Sequence, residues 1–443
     1  MSCSVLHHVE VCVKDDKIMP LLSKGFGFTP FAYRVTPAAS KLALKSGNSV
    51  FVVVRRNQNV CRGINSEPTK NDGDSGEAGS QDREHWTVFC CEDAATHTID
   101  SVFNVALVVK DVDAVTQKVR SKGGQVLREA TNLLGKMGQV RYSIVRSCCG
   151  NIVHTLIDKS KYAGDFLPGF ETIDVHGGKP GLIPASILRD FSESPDLWNL
   201  HDNSSSFLPL STHIDHLTYV CEIGKSKELL SWYEFCFGMK RFLANREENE
   251  EEGFVLRDNI GLRLKVMEYW RCSESGLKSP PDGEDDSSLK LVIAEPLPEV
   301  SDSHVDKFLK AHRGPGVQHI GLHTPTMVAT VEFMARNGVV FRKAPPTYYE
   351  EGVKLEEIVD AGHADELKLF KELGVLLDTE ADIFTDDIND RNKKSYLMQV
   401  FTGPIFDEDT FFLEVIQRRG ARGFGAGNIT ALARSILLHN QRQ

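Results

Sequence analysis

Two stretches decide how this chain is read: NVALVVKDVDAVTQKVRSKGGQVL (104–127) and HIGLHTPTMVATVEFMARNGVVF (319–341). Each opens on an alternating run of the kind that makes a half-buried strand. It then passes into a helical pattern, near 114–122 or 326–336, and stops at a glycine before the next apolar run. Two other openings, HVEVCV (8–13) and HLTYVC (216–221), begin in the same way. Four units of βαβββ type follow, two to each half, so the pattern predicts an α+β protein whose halves repeat one another.

Repetition allows the halves to be compared position by position. The opening residues are His8 and Asn104 in the first half against His216 and His319 in the second. A late strand adds Thr155, in VHTLIDK (153–159), against Glu414, in FLEVIQR (412–418). Two imidazoles and one carboxylate are the ligand set of non-haem Fe(II) oxygenases, because three protein ligands on one face of the ion leave places for a chelating substrate and O₂. The second half therefore carries a candidate site for one Fe(II) per chain on His216, His319 and Glu414, and the first half lacks it.

A rival reading takes His213 and Asp215 as an H-x-D pair with His319 as the distal ligand, the triad of jelly-roll oxygenases. A jelly roll would show short strands without the helical segments at 114–122 and 326–336. The remaining expectation for His213 and Asp215 is a pair of polar residues on the outer face of a strand. The run GFGAGN (423–428) fails the G-x-G-x-x-G pattern and follows no βαβ unit, so it reads as a turn feeding a last helix, ITALARSILL (429–438). The apolar face of that helix suits the covering of a cavity.

Composition sets the outer limits. At ~150 residues per domain, 443 residues make two large domains or three ordinary ones. Hydrophobic residues at 41% and charged residues at 26% describe an ordinary globular chain, and no run approaches the ~20 apolar residues of a membrane span. A net charge of -11 disfavours a nucleic-acid partner and points to a small molecule. The ten cysteines show no Cys-x-x-Cys spacing and read as reduced thiols of a reducing compartment. Residues 62–84 and 271–289, rich in Ser, Gly, Pro and acid, read as surface insertions; 377–395 is polar and ambiguous; 160–210 reads as the connection between halves. The N-terminus enters an alternating strand almost at once, which predicts no cleavable targeting segment.

Several motifs together are more specific than the triad. GVQHI (316–320), PPTYY (345–349), MQVFT (398–402), FFLEVIQR (411–418) and GFGAGN (423–428), with HTL (154–156) and FLPGF (166–170) in the first half, resemble the 4-hydroxyphenylpyruvate dioxygenase family over nearly the whole chain. The resemblance implies the vicinal oxygen chelate fold, in which paired βαβββ units form open barrels. It implies a metal-free half at 1–165, a connecting segment at 166–210 and an iron-binding half at 211–443, with His216, His319 and Glu414 on the family's iron ligands. Gln318, Gln399, Phe401, Phe412 and Asn428 fall where the family lines the metal cavity.

Four positions depart from that pattern. Leu264 falls near the family's pocket Ser, Ala294 replaces an Asn, His304 stands near a Gln, and Ile429 replaces a Phe. Each lost hydrogen-bond partner is worth ~1 kcal/mol, so the polar end of a substrate must be held differently. In these departures the chain resembles the animal dioxygenase-like branch of the family and the 4-hydroxymandelate synthases. That resemblance implies conversion of 4-hydroxyphenylpyruvate, a small aromatic 2-oxo acid, and O₂ to 4-hydroxymandelate and CO₂. It also implies supply of the ubiquinone ring precursor, a homodimer and a mitochondrial location, with cytoplasm as the alternative. Two other readings stay open: a dioxygenase making homogentisate, and a non-catalytic binding protein that kept the fold.

Overall fold

The computed structural model describes residues 6–36, 39–56, 99–173, 210–243, 248–257, 260–269, 289–350, 353–380 and 395–432, with a few positions between 175 and 191. The first unit is β1 (Leu6–Val13), two short helical turns (Ile18–Pro20 and Leu21–Gly25), then β2 (Thr29–Val35), β3 (Ala39–Ser46) and β4 (Ser49–Arg56). The second is β5 (Ser101–Val108), the helix Val112–Ser121, β6 (Val126–Gly135), β7 (Gly138–Arg146) and β8 (Val153–Asp158). After these come the short strands β9 (Glu171–Thr172), β10 (Val175–His176) and β11 (Lys179–Pro180). The third unit is β12 (His213–Val220), the helix Ser226–Phe237, β13 (Met239–Phe242), β14 (Phe254–Leu256), β15 (Leu262–Tyr269) and β16 (Lys290–Pro296). The helix His304–His312 leads into the fourth: β17 (Gly316–His323), the helix Met327–Arg336, three further short α-helices and a 3-10 turn, β18 (Leu376–Glu380), β19 (Ser395–Phe401) and β20 (Phe412–Arg419).

Two nine-stranded sheets result among the described residues, in the orders β6-β7-β8-β5-β1-β4-β3-β2-β9 and β13-β15-β16-β12-β17-β20-β19-β18 with β14 also pairing with β15, while β10 and β11 form a two-stranded ribbon. In both, the opening strands of the two units pair antiparallel at the centre, β1 with β5 and β12 with β17. Each opening strand also lies parallel to the last strand of its own unit. A parallel neighbour cannot be reached by a tight turn, which is why every unit needs a crossover segment. Sequence supplies the signals for one: Asp111 caps the helix Val112–Ser121 by accepting from the Ala114 amide at 2.9 Å, and Gly123 takes φ +74° just beyond its end.

The registers of the two sheets agree. His8 faces Ala106 and Glu10 faces Asn104 in the first; His216 faces Gly321 and Thr218 faces His319 in the second. The equivalence of His8 with His216 and of Asn104 with His319 is thus a property of strand pairing. One continuous apolar core takes residues from both halves, among them Val9, Leu107, Leu217 and Val415. The helices Val112–Ser121 and Ser226–Phe237 meet across it. Residues on the opposite faces of β1, β5, β12 and β17 are left to line the interior of each half-barrel.

Phe166 and Leu167, at the start of the expected connection, are buried in the first half, and β9 extends its sheet by pairing with β2. The insertion 62–84 and all but Leu289 of 271–289 lie outside the described residues, as does most of 377–395, whose start forms the end of β18. The described cysteines Cys12, Cys148, Cys149, Cys221 and Cys236 are free thiols. Among the described residues no helix is long and apolar enough to cross a membrane.

Candidate metal centre

Three neighbouring strands, β12, β17 and β20, each aim one residue at a common point inside the second half-barrel. The potential ligand atoms of His216, His319 and Glu414 lie within 4.8 Å of one another. Glu414 Oε2 stands 3.2 Å from His216 Nε2 and 3.5 Å from His319 Nε2. Atoms bound to one face of an octahedral ion at ~2.1 Å from it are about 3 Å apart, so the donor set and its spacing fit a divalent transition metal such as Fe(II).

Both imidazoles are oriented from behind. His216 Nδ1 is 2.8 Å from Asp215 Oδ1, and His319 Nδ1 is 3.3 Å from Gln318 Oε1. With each Nδ1 turned to such an acceptor, Nε2 is the ring nitrogen each histidine presents to the centre. Two β-bulges make this possible. The pairing of β12 with β17 slips between Ile214 and His216, leaving Asp215 as the extra residue, and slips again at Thr218/Tyr219, leaving Gln318 as another. Each slip brings the residue before the histidine to the same side as the imidazole. Asp215 is therefore not on the outer face, as alternation alone would have it. Asp215 is buried and forms a bidentate pair with Arg418, while His213 stacks on His323 at 4.7 Å.

Electrostatics follows this arrangement. Burial would lower the basicity of His216, but the carboxylates of Glu414 and Asp215 override it and push its pKa up to about 9. Burial and the positive charges of His216 and His304 hold His319 well below the ordinary imidazole value. His319 Nε2 meanwhile accepts from the Thr218 hydroxyl at 2.9 Å.

The equivalent point in the first half is filled. Asn104 Nδ2 donates to Thr155 Oγ1 at 2.8 Å and to Glu10 Oε1 at 3.2 Å, and His8 Nε2 lies 3.3 Å from the same carboxylate. The Lys41 ammonium caps the cluster at 2.9 Å from Glu10 Oε2, fully buried. An internal ammonium supplies the positive charge that a metal would bring to the second half. The same two bulges recur there, at His7 and at Phe103.

Of the expected cavity residues, Gln318, Phe401 and Phe412 stand against His319. Phe412 stacks on the His319 ring at 4.7 Å, and Phe401 meets Phe412 edge-on at 6.0 Å. Gln399 and Asn428 are buried, and Gln399 Oε1 and Asn428 Nδ2 have no hydrogen-bond partner. An acceptor and a donor stranded in this way call for a polar ligand or water. Tyr348 holds the other end of Asn428, donating to Oδ1 at 2.6 Å. Leu264 and Ala294 are direct cross-strand neighbours on β15 and β16, and both join Val220, Val305, Phe308 and Ile429 in a separate apolar cluster. That cluster is apolar throughout. His304 opens the helix His304–His312 behind the Ser303 capping box, within electrostatic reach of His319 and Arg342.

Sequence reading missed Asp215, Arg418 and Thr218 as supports of the triad, and it missed Gly321. A Cβ on Gly321 would stand 2.3 Å from His216 Cε1, so only glycine admits the imidazole there. The glycine was visible in HIGLH, but its partner lies on another strand.

No model of a known protein family matches the chain. Among individual proteins, it is 31% identical to the 4-hydroxyphenylpyruvate dioxygenase-like protein of Mus musculus, over 94% of this chain and 91% of that protein. It is 30% identical to the 4-hydroxyphenylpyruvate dioxygenase of Neurospora crassa, over 76% of this chain and 69% of that protein. A triple-substituted variant of the 4-hydroxymandelate synthase of Streptomyces coelicolor superposes with a TM-score of 0.64 at 22% identity, covering 100% of both chains. That superposition shows the vicinal oxygen chelate fold.

Proposed function

Because this chain belongs to the 4-hydroxyphenylpyruvate dioxygenase family, we propose that it is an Fe(II)-dependent dioxygenase converting 4-hydroxyphenylpyruvate and O₂ to 4-hydroxymandelate and CO₂. The convergence of His216, His319 and Glu414 on one point carries the reading. Fe(II), when bound there, supplies the chelation of a 2-oxo acid and the activation of O₂ for oxidative decarboxylation.

The chain's own residues supply the rest. Asp215 and Gln318 hold the two imidazoles with Nε2 toward the centre. Gln399 Oε1 and Asn428 Nδ2 offer an acceptor and a donor to the polar parts of a substrate. Phe401 and Phe412 offer aromatic surface to a substrate ring, and Phe424 of the glycine-rich segment 423–428 covers His216 edge-on at 5.0 Å. The choice of product rests on the apolar wall: Ile429, smaller than Phe, gives the ring room to tilt so that the benzylic carbon meets the oxidant. Supply of a ubiquinone ring precursor and a mitochondrial location belong to this proposal.

The test is incubation of iron-loaded protein with 4-hydroxyphenylpyruvate under O₂. Because 4-hydroxymandelate and homogentisate are isomers, the product is identified by chromatography against both standards. Homogentisate alone would make the chain a conventional member of the family. Release of neither, with iron bound, would make it a binding protein.

A further inference from the structure

Arg418 sits near the end of β20, four residues beyond Glu414. Its guanidinium reaches two places at once. Toward the metal centre, Nε and Nη2 each stand 2.8 Å from an oxygen of Asp215, whose Oδ1 also meets His216 Nδ1. Toward the carboxy-terminal segment, Nη1 donates to the Gly423 carbonyl at 2.6 Å and more weakly to that of Ala421 at 3.4 Å. The plane of the guanidinium covers the Phe424 ring at 4.9 Å, and that ring meets His216 edge-on at 5.0 Å.

The contacts close a ring: His216 to Asp215, Asp215 to Arg418, Arg418 to residues 421–424, and Phe424 back to His216. A planar fork with five donors can bind a carboxylate in bidentate fashion and still serve carbonyls and an aromatic face; an ammonium cannot. Residues 421–424 lead directly into the helix that begins at 426 and carries Asn428 and Ile429. Any rotation of the His216 imidazole must therefore move Asp215 or Phe424, and both are held by Arg418.

We infer that Arg418 is a positioning residue that couples metal binding at His216 to closure of the segment 421–432 over the cavity. The inference rests on the reading of His216, His319 and Glu414 as a metal centre. Metal fixes the imidazole, the imidazole fixes Asp215 and Phe424, and through Arg418 the closing segment settles. Conversely, a loosened segment releases the imidazole and weakens the metal.

The test uses full-length protein with anaerobic Fe(II), read by calorimetric titration and by amide hydrogen exchange of 421–432. In the native protein, Fe(II) should slow exchange across that segment. Arg418→Gln should weaken Fe(II) binding by ~10–100-fold, the usual effect of losing a supporting contact, and remove the metal-induced slowing. Arg418→Lys, which keeps the charge on Asp215 without the fork, should recover part of the metal affinity and none of the slowing. A merely structural role would not produce that split. The inference is overturned if Arg418→Gln leaves Fe(II) affinity unchanged, or if 421–432 exchanges independently of metal in the native protein. If Glu414→Ala binds Fe(II) as the native protein does, the metal centre itself is misassigned, a distinct outcome.

Discussion

Gly321 and His216 face each other across β17 and β12, so near that the imidazole occupies the volume any other side chain at 321 would need. Gly321→Ala should therefore displace the ligand without exposing apolar surface. The expected result is a loss of Fe(II) affinity of at least ~10-fold with only a small change in melting temperature, measured by titration and thermal denaturation side by side. A variant that unfolds instead would show that the contact serves packing first.

Glu414 is the group that both histidines share. Glu414→Ala should cost more metal affinity than the ~100-fold typical of a lost supporting contact, since it removes a ligand. It should also abolish turnover while circular dichroism stays native. Retained turnover would remove the carboxylate from the centre.

Ile429 and the Leu264–Ala294 pair form one apolar wall. Ile429→Phe should shift product from 4-hydroxymandelate toward ring-attack species by restricting ring tilt. The ratio of the two isomers, read chromatographically, decides it, and an unchanged ratio assigns regiochemistry elsewhere.

Glu10 predicts acid sensitivity in the half without metal. Burial would raise its pKa, yet Lys41 and His8 bring it down from 4.5 to about 2. A carboxyl depressed by folding contributes stability above its unfolded pKa and loses it as pH falls toward the folded value. Urea midpoints should thus drop between about pH 5 and pH 2. Glu10→Gln should flatten that drop and, by removing the carboxylate 2.9 Å from the buried Lys41 ammonium, cost roughly 3–5 kcal/mol at neutral pH. Fe(II) affinity in the other half should not follow the change.

Much of this molecule was legible in the chain because its signals repeat. The strand and helix periods of 104–127 and 319–341 gave the unit, and comparison of His8, Asn104 and Thr155 with His216, His319 and Glu414 singled out the triad. What escaped was whatever depends on a one-residue slip. Alternation sends Asp215 away from His216, and only the bulge in pairing with β17 turns it back. Lys41 was equally hidden: nothing near it in sequence announces that its ammonium ends beneath Asn104 and Glu10. Arg418 stood in plain view within FFLEVIQR, but its partners come from another strand and from the following turn.

The shared core has a consequence for how the protein works. Val9 and Leu107 from one half are packed in the same apolar mass as Leu217 and Val415 from the other, at the density of a single interior. Swinging the halves apart, as clamshell enzymes do, would expose that shared apolar surface to water at a cost of ~25 cal/mol per Å². Within residues 421–432, Ala431 and Leu432 pack against this mass and are only partly buried, so moving that segment would leave the shared interior in place.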